Sequence, residues 1–115
     1  MSELGEFRII GHKGFHIRLG NGMCVSVQFG GGNYGDNYHM RIGTEREHHR
    51  LASRTAEIAI WDESGDGESK WVTQEFSGNA HDPVLGYQTP EQVLAALNWA
   101  AMRQPAREGG DERSS

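Results

Sequence analysis

The sequence contains one cysteine, Cys24, and no apolar run near the ~20 residues that span a bilayer. A lone cysteine excludes an intrachain disulfide, and residues 1–6 combine two acidic side chains with no apolar stretch. We therefore expect neither a signal peptide nor a membrane segment. The lack of a disulfide and the lack of a signal peptide or membrane segment favour the cytoplasm as the location of the protein.

Cations are also few. The net charge is −5, and residues 54–88 hold seven acidic side chains but only Arg54 and Lys70 as cations. Phosphate contacts supply most of the non-specific affinity for nucleic acid, so this balance disfavours direct nucleic-acid binding. It favours a protein partner that presents a basic surface.

The chain length of 115 residues is enough for one domain with a core of its own. We assign residues 1–104 to a single domain. Residues 105–115 contain no apolar residue except Ala106, which predicts a disordered tail.

Period-two alternation of apolar and polar residues predicts the strands. Residues 15–29 read as a hairpin around Gly20-Asn21-Gly22, because these residue types tolerate the backbone of a tight turn. Residues 7–10, 56–60 and 71–76 give three further strand segments, and Trp61 is expected to face away from the core.

A helix is predicted to begin at Thr89-Pro90-Glu91-Gln92, where Thr89 and Gln92 form a capping box and Pro90 suits the first helical position. Its expected apolar face consists of Val93, Leu94, Leu97, Ala100 and Ala101. The predicted fold class is α+β, with a small antiparallel sheet of about four strands packed by one C-terminal helix.

Residues 30–53 read as a long, irregular, glycine-rich loop, with one possible helical turn in residues 44–52. Gly30–Gly35 lacks the Lys-Ser/Thr and the following helix of a phosphate-binding loop. Two interpretations stay open: a plain connection, or a recognition loop that presents Tyr34, Asp36 and Tyr38 to a partner.

We expect no catalytic residue, no metal and no cofactor. Cys24 and His16 lie in no sequence signature of a catalytic cysteine. The adjacent His48 and His49 could hold a metal ion only with a distant third ligand. Residues 62–67 resemble the start of a calcium loop. The twelfth position of such a loop is a bidentate glutamate, but here it is Thr73, so we expect an acidic turn.

Two further features are candidate contact surfaces. Asp62, Glu63, Asp66 and Glu68 belong to an acidic hairpin, residues 57–75, which could steer a basic partner or only increase solubility. Trp99 lies off the centre of the predicted apolar helix face. Either a loop or the N-terminal strand covers it, or it anchors an interface.

Several segments resemble a group of small tailed-phage and prophage proteins. They are Asn21–Gly30 (NGMCVSVQFG), Gly32-Asn33-Tyr34, Ala56–Trp61 and Gly86–Val93. The resemblance implies a phage or mobile-element setting, and it carries no enzyme activity or catalytic residue with it. Small acidic proteins of that setting include inhibitors of host defence, anti-CRISPR proteins among them.

The leading hypothesis is a stoichiometric binding protein that inhibits a host protein or complex in the host cell cytoplasm. The missing catalytic constellations, the acidic segment and the tyrosine loop support it. Two alternatives stay open: a small enzyme or ligand-binding domain that uses Cys24, His16 or His48 and His49, and an accessory virion component.

Overall fold

The computed structural model describes residues 5–11, 13–30, 32–39 and 52–104. The elements within these ranges are, in chain order, β1 (Glu6–Ile10), β2 (Gly14–Arg18), β3 (Met23–Gln28), β4 (Ala56–Asp62), β5 (Lys70–Trp71), α1 (Thr73–Ser77), β6 (Leu85–Gln88) and α2 (Pro90–Met102). The predicted helical turn in residues 44–52 lies almost wholly outside the described residues, as does the tail.

The described strands form one antiparallel sheet in the order β1-β2-β3-β4-β5. β6 also pairs with β4, opposite Ala56 and Ile58, whereas β5 pairs with Trp61 and Asp62 at the other end of β4. The predicted hairpin is confirmed, with Phe15 opposite Val27. The α+β prediction is confirmed, although the described residues contribute six strands to the sheet in place of about four.

The core lies between one face of the sheet and α2. Met23, Val25, Ile58 and Ile60 point to this face and are fully buried. Alternation sends Cys24, Ser26 and Trp61 to the opposite face, as the sequence predicted for Trp61. This second face, which α2 leaves uncovered, carries polar and aromatic side chains.

The predicted strand over residues 71–76 was wrong, because only Lys70–Trp71 pair and α1 begins at Thr73. The Thr73 hydroxyl accepts a hydrogen bond from the Ile60 N–H and donates one to the Ile60 carbonyl. The Val72 N–H still bonds to the Ile60 carbonyl, but the Thr73 hydroxyl replaces the backbone acceptor for the Ile60 N–H, and the chain turns away from the sheet. Gly78, in the left-handed conformation at φ 77°, ends the helix.

The strand β6 was not predicted from the sequence, and its Gly86 packs against Tyr34. A Cβ at position 86 would lie 2.7 Å from that of Tyr34, so glycine is required for the close approach. On α2 the capping box is confirmed. The buried face of α2 is centred on Ala96 and Ala100, whose small side chains let the helix approach the sheet closely. Leu94 and Ala101, which were predicted to lie on that face, are exposed.

Candidate recognition site

The loop at residues 32–39 is anchored by two buried asparagines. Asn33 donates from Nδ2 to Gln28 Oε1 at 3.2 Å and to Glu57 Oε1 at 3.0 Å, and its Oδ1 accepts from the Gly30 N–H. Asn37 donates to the Phe29 carbonyl at 2.8 Å. These bonds satisfy backbone groups that a glycine-rich segment would otherwise leave to water, so they fix the loop on the sheet.

Asp36 ties the loop to the start of β4. Its carboxylate accepts hydrogen bonds from the Thr55 hydroxyl and from the Arg54 N–H, and these bonds lower the pKa of Asp36. The Asp36 N–H donates in turn to Thr55 Oγ1 at 3.0 Å. Asp36, predicted as a partner contact, is solvent-exposed and already bonded within the chain.

Tyr34 and Tyr38 stack on each other, with ring centroids 5.4 Å apart and planes 9° from parallel. They remain 47% and 37% exposed, and His39 meets Tyr38 edge-on. The Tyr34 N–H donates to Glu57 Oε1, and the Tyr34 carbonyl accepts from the Tyr87 N–H at 2.8 Å. The structure therefore brings together the two tyrosines that the sequence singled out and holds one of them by its backbone.

Tyr87 was missed by sequence reasoning. The residue is 57% exposed. Its backbone φ of 55° lies in the left-handed region, which residues other than glycine, asparagine and aspartate rarely adopt. Its N–H bonds to the carbonyl of Tyr34, so β6 and the loop join at this point. The neighbouring Gly86 was the only available signal, since a glycine inside a strand marks a close approach of backbones.

The acidic hairpin is largely neutralised by distant cations. Asp62 is only 3% exposed, and its Oδ2 lies 2.8 Å from Arg103 Nη1. Glu63 contacts Arg18 at 3.2 Å and Arg8 at 3.5 Å. Asp62 therefore belongs to the interior of the domain and Glu63 to an ion cluster.

Asp66 and Glu68, by contrast, are exposed at the tip of the turn. Of the four acidic residues of the hairpin that were predicted as contacts, these two remain as an open surface. Glu75 was expected on a neighbouring strand of the hairpin. It lies on α1, where it also pairs with Arg103.

Glu63, Trp61 and Cys24 form one partly buried cluster on the second face. Burial alone would raise the pKa of Glu63, but hydrogen bonds from Trp61 and Arg8 outweigh it and bring the pKa to about 2. Burial and a hydrogen bond to Glu63 raise the pKa of the Cys24 thiol to about 12. Burial beside a carboxylate therefore disfavours the thiolate, which is the nucleophilic form of cysteine.

Trp99 packs against Phe76 of α1, with ring centroids 5.5 Å apart, and is half-buried beside the core. Part of its cover therefore comes from α1, a segment that the sequence assigned to a strand. Met102, one turn further on, is exposed.

Within the described ranges, no group of three or more His, Cys, Asp or Glu side chains is placed to hold a metal ion. His48 and His49 lie outside those ranges. No helix in the described part of the chain is long and apolar enough to cross a membrane.

Fold and site together define a small α+β protein with a stacked tyrosine pair on an anchored loop and a polar-aromatic second sheet face. No protein-family model, no curated protein and no solved structure matches the chain.

Proposed function

We propose that the protein is a stoichiometric binding protein that inhibits a host protein or complex by contact and not by catalysis. A bacterial defence complex in the host cytoplasm is the partner class that the phage-like segments favour. The observation that carries the proposal is the exposed Tyr34–Tyr38 stack on a loop anchored at both asparagines.

Pre-ordering of these rings reduces the cost of association. A side chain immobilised on binding costs about 0.5–1.5 kcal/mol, and a side chain already held in place avoids much of that loss. Tyrosine also combines a large apolar ring with a polar hydroxyl, which explains its enrichment at recognition surfaces. Two stacked, exposed tyrosines therefore support a protein-binding surface.

Charge supports a partner with a basic surface. The protein carries a net charge of −5, and Asp66 and Glu68 project from the turn beyond β4. Acidic side chains at the edge of an interface accelerate encounter with a positive surface more than they tighten the complex. The same net charge disfavours direct contact with nucleic acid.

The test is capture from bacterial host lysate by tagged wild-type protein and by the double variant Tyr34→Ala/Tyr38→Ala. Phe7→Ala is the matched control, since Phe7 is an exposed aromatic residue on β1. We expect the double variant to lose the captured partner while its melting temperature stays that of wild type. Retention of the same partner at wild-type level would contradict the tyrosine surface.

Stoichiometry separates inhibition by contact from enzymatic inactivation. The captured partner is titrated with purified protein, and its remaining activity is measured at each ratio. A stoichiometric inhibitor reaches full inhibition near molar equivalence, whereas an enzyme inactivates the partner at a small fraction of that amount. Inactivation that continues with time at low ratios would favour the enzyme alternative, and enrichment in purified virions would favour the virion component.

A further inference from the structure

The second face of the sheet contains a cavity of about 540 Å³. Trp61 and Trp71 line it, with ring centroids 5.5 Å apart and planes inclined at 47°, so they form two adjoining aromatic walls. His16 meets Trp61 edge-on at 4.9 Å. This volume is within the range of pockets that bind small molecules or a single long side chain.

The charge on the described lining of the cavity is negative and not positive. Glu57 is its only carboxylate, and no lysine or arginine lines it among the described residues. His16 is the other titratable side chain, and burial together with the nearby charge of Arg8 lowers its pKa, so the ring is neutral near physiological pH. The described lining is therefore aromatic and carries a negative charge.

Glu57 is held in position by the loop. Its Oε1 accepts hydrogen bonds from Asn33 Nδ2 at 3.0 Å and from the Tyr34 N–H at 3.2 Å. Its Oε2 accepts none from the residues that the structure describes. One oxygen therefore fixes the carboxylate, and the other is left to bind a donor inside the cavity.

The side-chain amides near Glu57 are less available than its carboxylate to form hydrogen bonds with a ligand. Gln28 donates from Nε2 to Ser26 Oγ and accepts at Oε1 from Asn33, while Asn33 also bonds to Gly30 and Glu57. These bonds use part of the hydrogen-bonding capacity of both amides, including both Nδ2 donors of Asn33, so less of it is left for a planar heterocycle. Anions are disfavoured by Glu57 and by the negative faces of the indole rings.

We propose that this cavity binds an organic cation, a guanidinium or alkylammonium group, against Trp61 and Trp71 with Glu57 as its counter-charge. Cations are attracted to the faces of indole rings, most strongly where water is displaced, and a carboxylate adds a charge-assisted hydrogen bond. The group could belong to a free small molecule or to an arginine or lysine side chain of a protein. This inference does not depend on the proposed inhibitory function.

Ligand binding is measured on the purified full chain by two-dimensional NMR, following the indole N–H signals of the tryptophans. One probe is arginine blocked at both ends, which imitates a protein side chain, and its control is blocked citrulline, which has nearly the same shape and no charge. The other probe is choline, a free cation, and its control is the neutral isostere 3,3-dimethyl-1-butanol.

We expect a charged probe to shift the signals of Trp61 and Trp71 with little effect on Trp99, and each neutral control to bind at least about tenfold more weakly. Tighter binding of blocked arginine would indicate a protein side chain, and tighter binding of choline a free cation. Glu57→Gln should weaken binding of the better probe by about tenfold, because glutamine keeps the acceptor for Asn33 and removes the charge.

Glu91→Gln is the control, since it removes an exposed carboxylate of α2 that does not line the cavity. Trp71→Ala provides a second test, because Trp71 is half-exposed and its loss removes one aromatic wall without opening the core. Equal binding of charged and neutral probes, no binding of either cation, or full affinity in both Glu57→Gln and Trp71→Ala would overturn the proposal.

Discussion

Arg103, the residue that follows α2, neutralises two acidic residues from separate elements. Its guanidinium bonds to Asp62 at 2.8 Å and to both oxygens of Glu75 at 3.0 Å. Within the acidic hairpin itself, residues 57–75, the sequence offers only Lys70 as a cation. The folded chain instead brings Arg8, Arg18 and Arg103 to these carboxylates.

Arg103→Met should therefore destabilise the protein by about 3 kcal/mol, because the buried carboxylate of Asp62 would lose its counter-charge. The free energy of unfolding from urea denaturation gives the measurement. The double variant Asp62→Asn/Arg103→Met should recover most of the loss, since asparagine removes the charge and can still accept from Ser64. Arg103→Met within about 0.5 kcal/mol of wild type would show that the pair is unimportant.

Glu63 predicts a specific acid sensitivity. Its pKa falls from 4.5 to about 2 on folding, so the native carboxylate resists protonation while the unfolded chain takes up the proton. This stabilisation is complete above the unfolded pKa and is lost as the pH falls through the folded pKa. Allowing for partial solvent screening, the contribution is about 2 kcal/mol.

The measurement is the unfolding free energy of wild type and Glu63→Gln from about pH 7 to about pH 3. We expect the difference between the two proteins to shrink as the pH falls, because wild type loses a contribution that the variant never had. Glu68→Gln should run parallel to wild type. A difference that stays constant with pH would show that the carboxylate of Glu63 is not the source of the stabilisation.

Among the elements, α2 is secured at both ends by side chains. Thr89 and Gln92 bond reciprocally at its start. At its end, Asn21 of the β2–β3 turn donates from Nδ2 to the carbonyls of Ala100 at 2.8 Å and Arg103 at 3.0 Å. The turn therefore supplies donors to carbonyl groups that a helix C-terminus cannot satisfy internally.

Asn21→Ala should lower the unfolding free energy by about 1 kcal/mol, since these carbonyls and the Met23 N–H each lose a hydrogen bond to the Asn21 side chain. Asn98→Ala is the matched control, because Asn98 is exposed on the same helix and should change stability by less than about 0.5 kcal/mol. Thermal or urea unfolding measures both variants. Equal effects at the two positions would contradict the capping role of Asn21.

In the whole molecule, one sheet separates two different environments. The face beneath α2 is an apolar core, whereas the second face holds the cavity and the Glu63 cluster. Cys24 belongs to the second face and is fully buried. Its high pKa and complete burial together predict a thiol that reagents reach only when the domain opens.

Labelling of Cys24 by a thiol reagent at about pH 8 should therefore follow global unfolding. Asn21→Ala, which acts at a helix end, should accelerate labelling about fivefold if it costs about 1 kcal/mol. Asn98→Ala should leave the rate unchanged. Rapid labelling of the native protein, at a rate insensitive to Asn21→Ala, would show local access to the thiol and would reopen the question of its reactivity.

The sequence by itself determined the β2–β3 hairpin, the start of α2 and the α+β class, because each depends on residues close together in the chain. Alternation set the two faces of residues 15–29, and Thr89 and Gln92 lie three residues apart. Tyr34 and Tyr38 also stood out, since a glycine-rich loop has few other large side chains. Their stacking could not be predicted from spacing alone.

Tertiary structure decided the rest. Residues 71–76 alternate like a strand, but the Thr73 hydroxyl bonds to Ile60 and the chain becomes helical. The neutralised acidic hairpin, the cover of Trp99 and the cavity beside Glu57 all depend on side chains from separate elements. Such contacts arise only when strands pair and helices pack, because local sequence does not encode which distant residue will lie opposite.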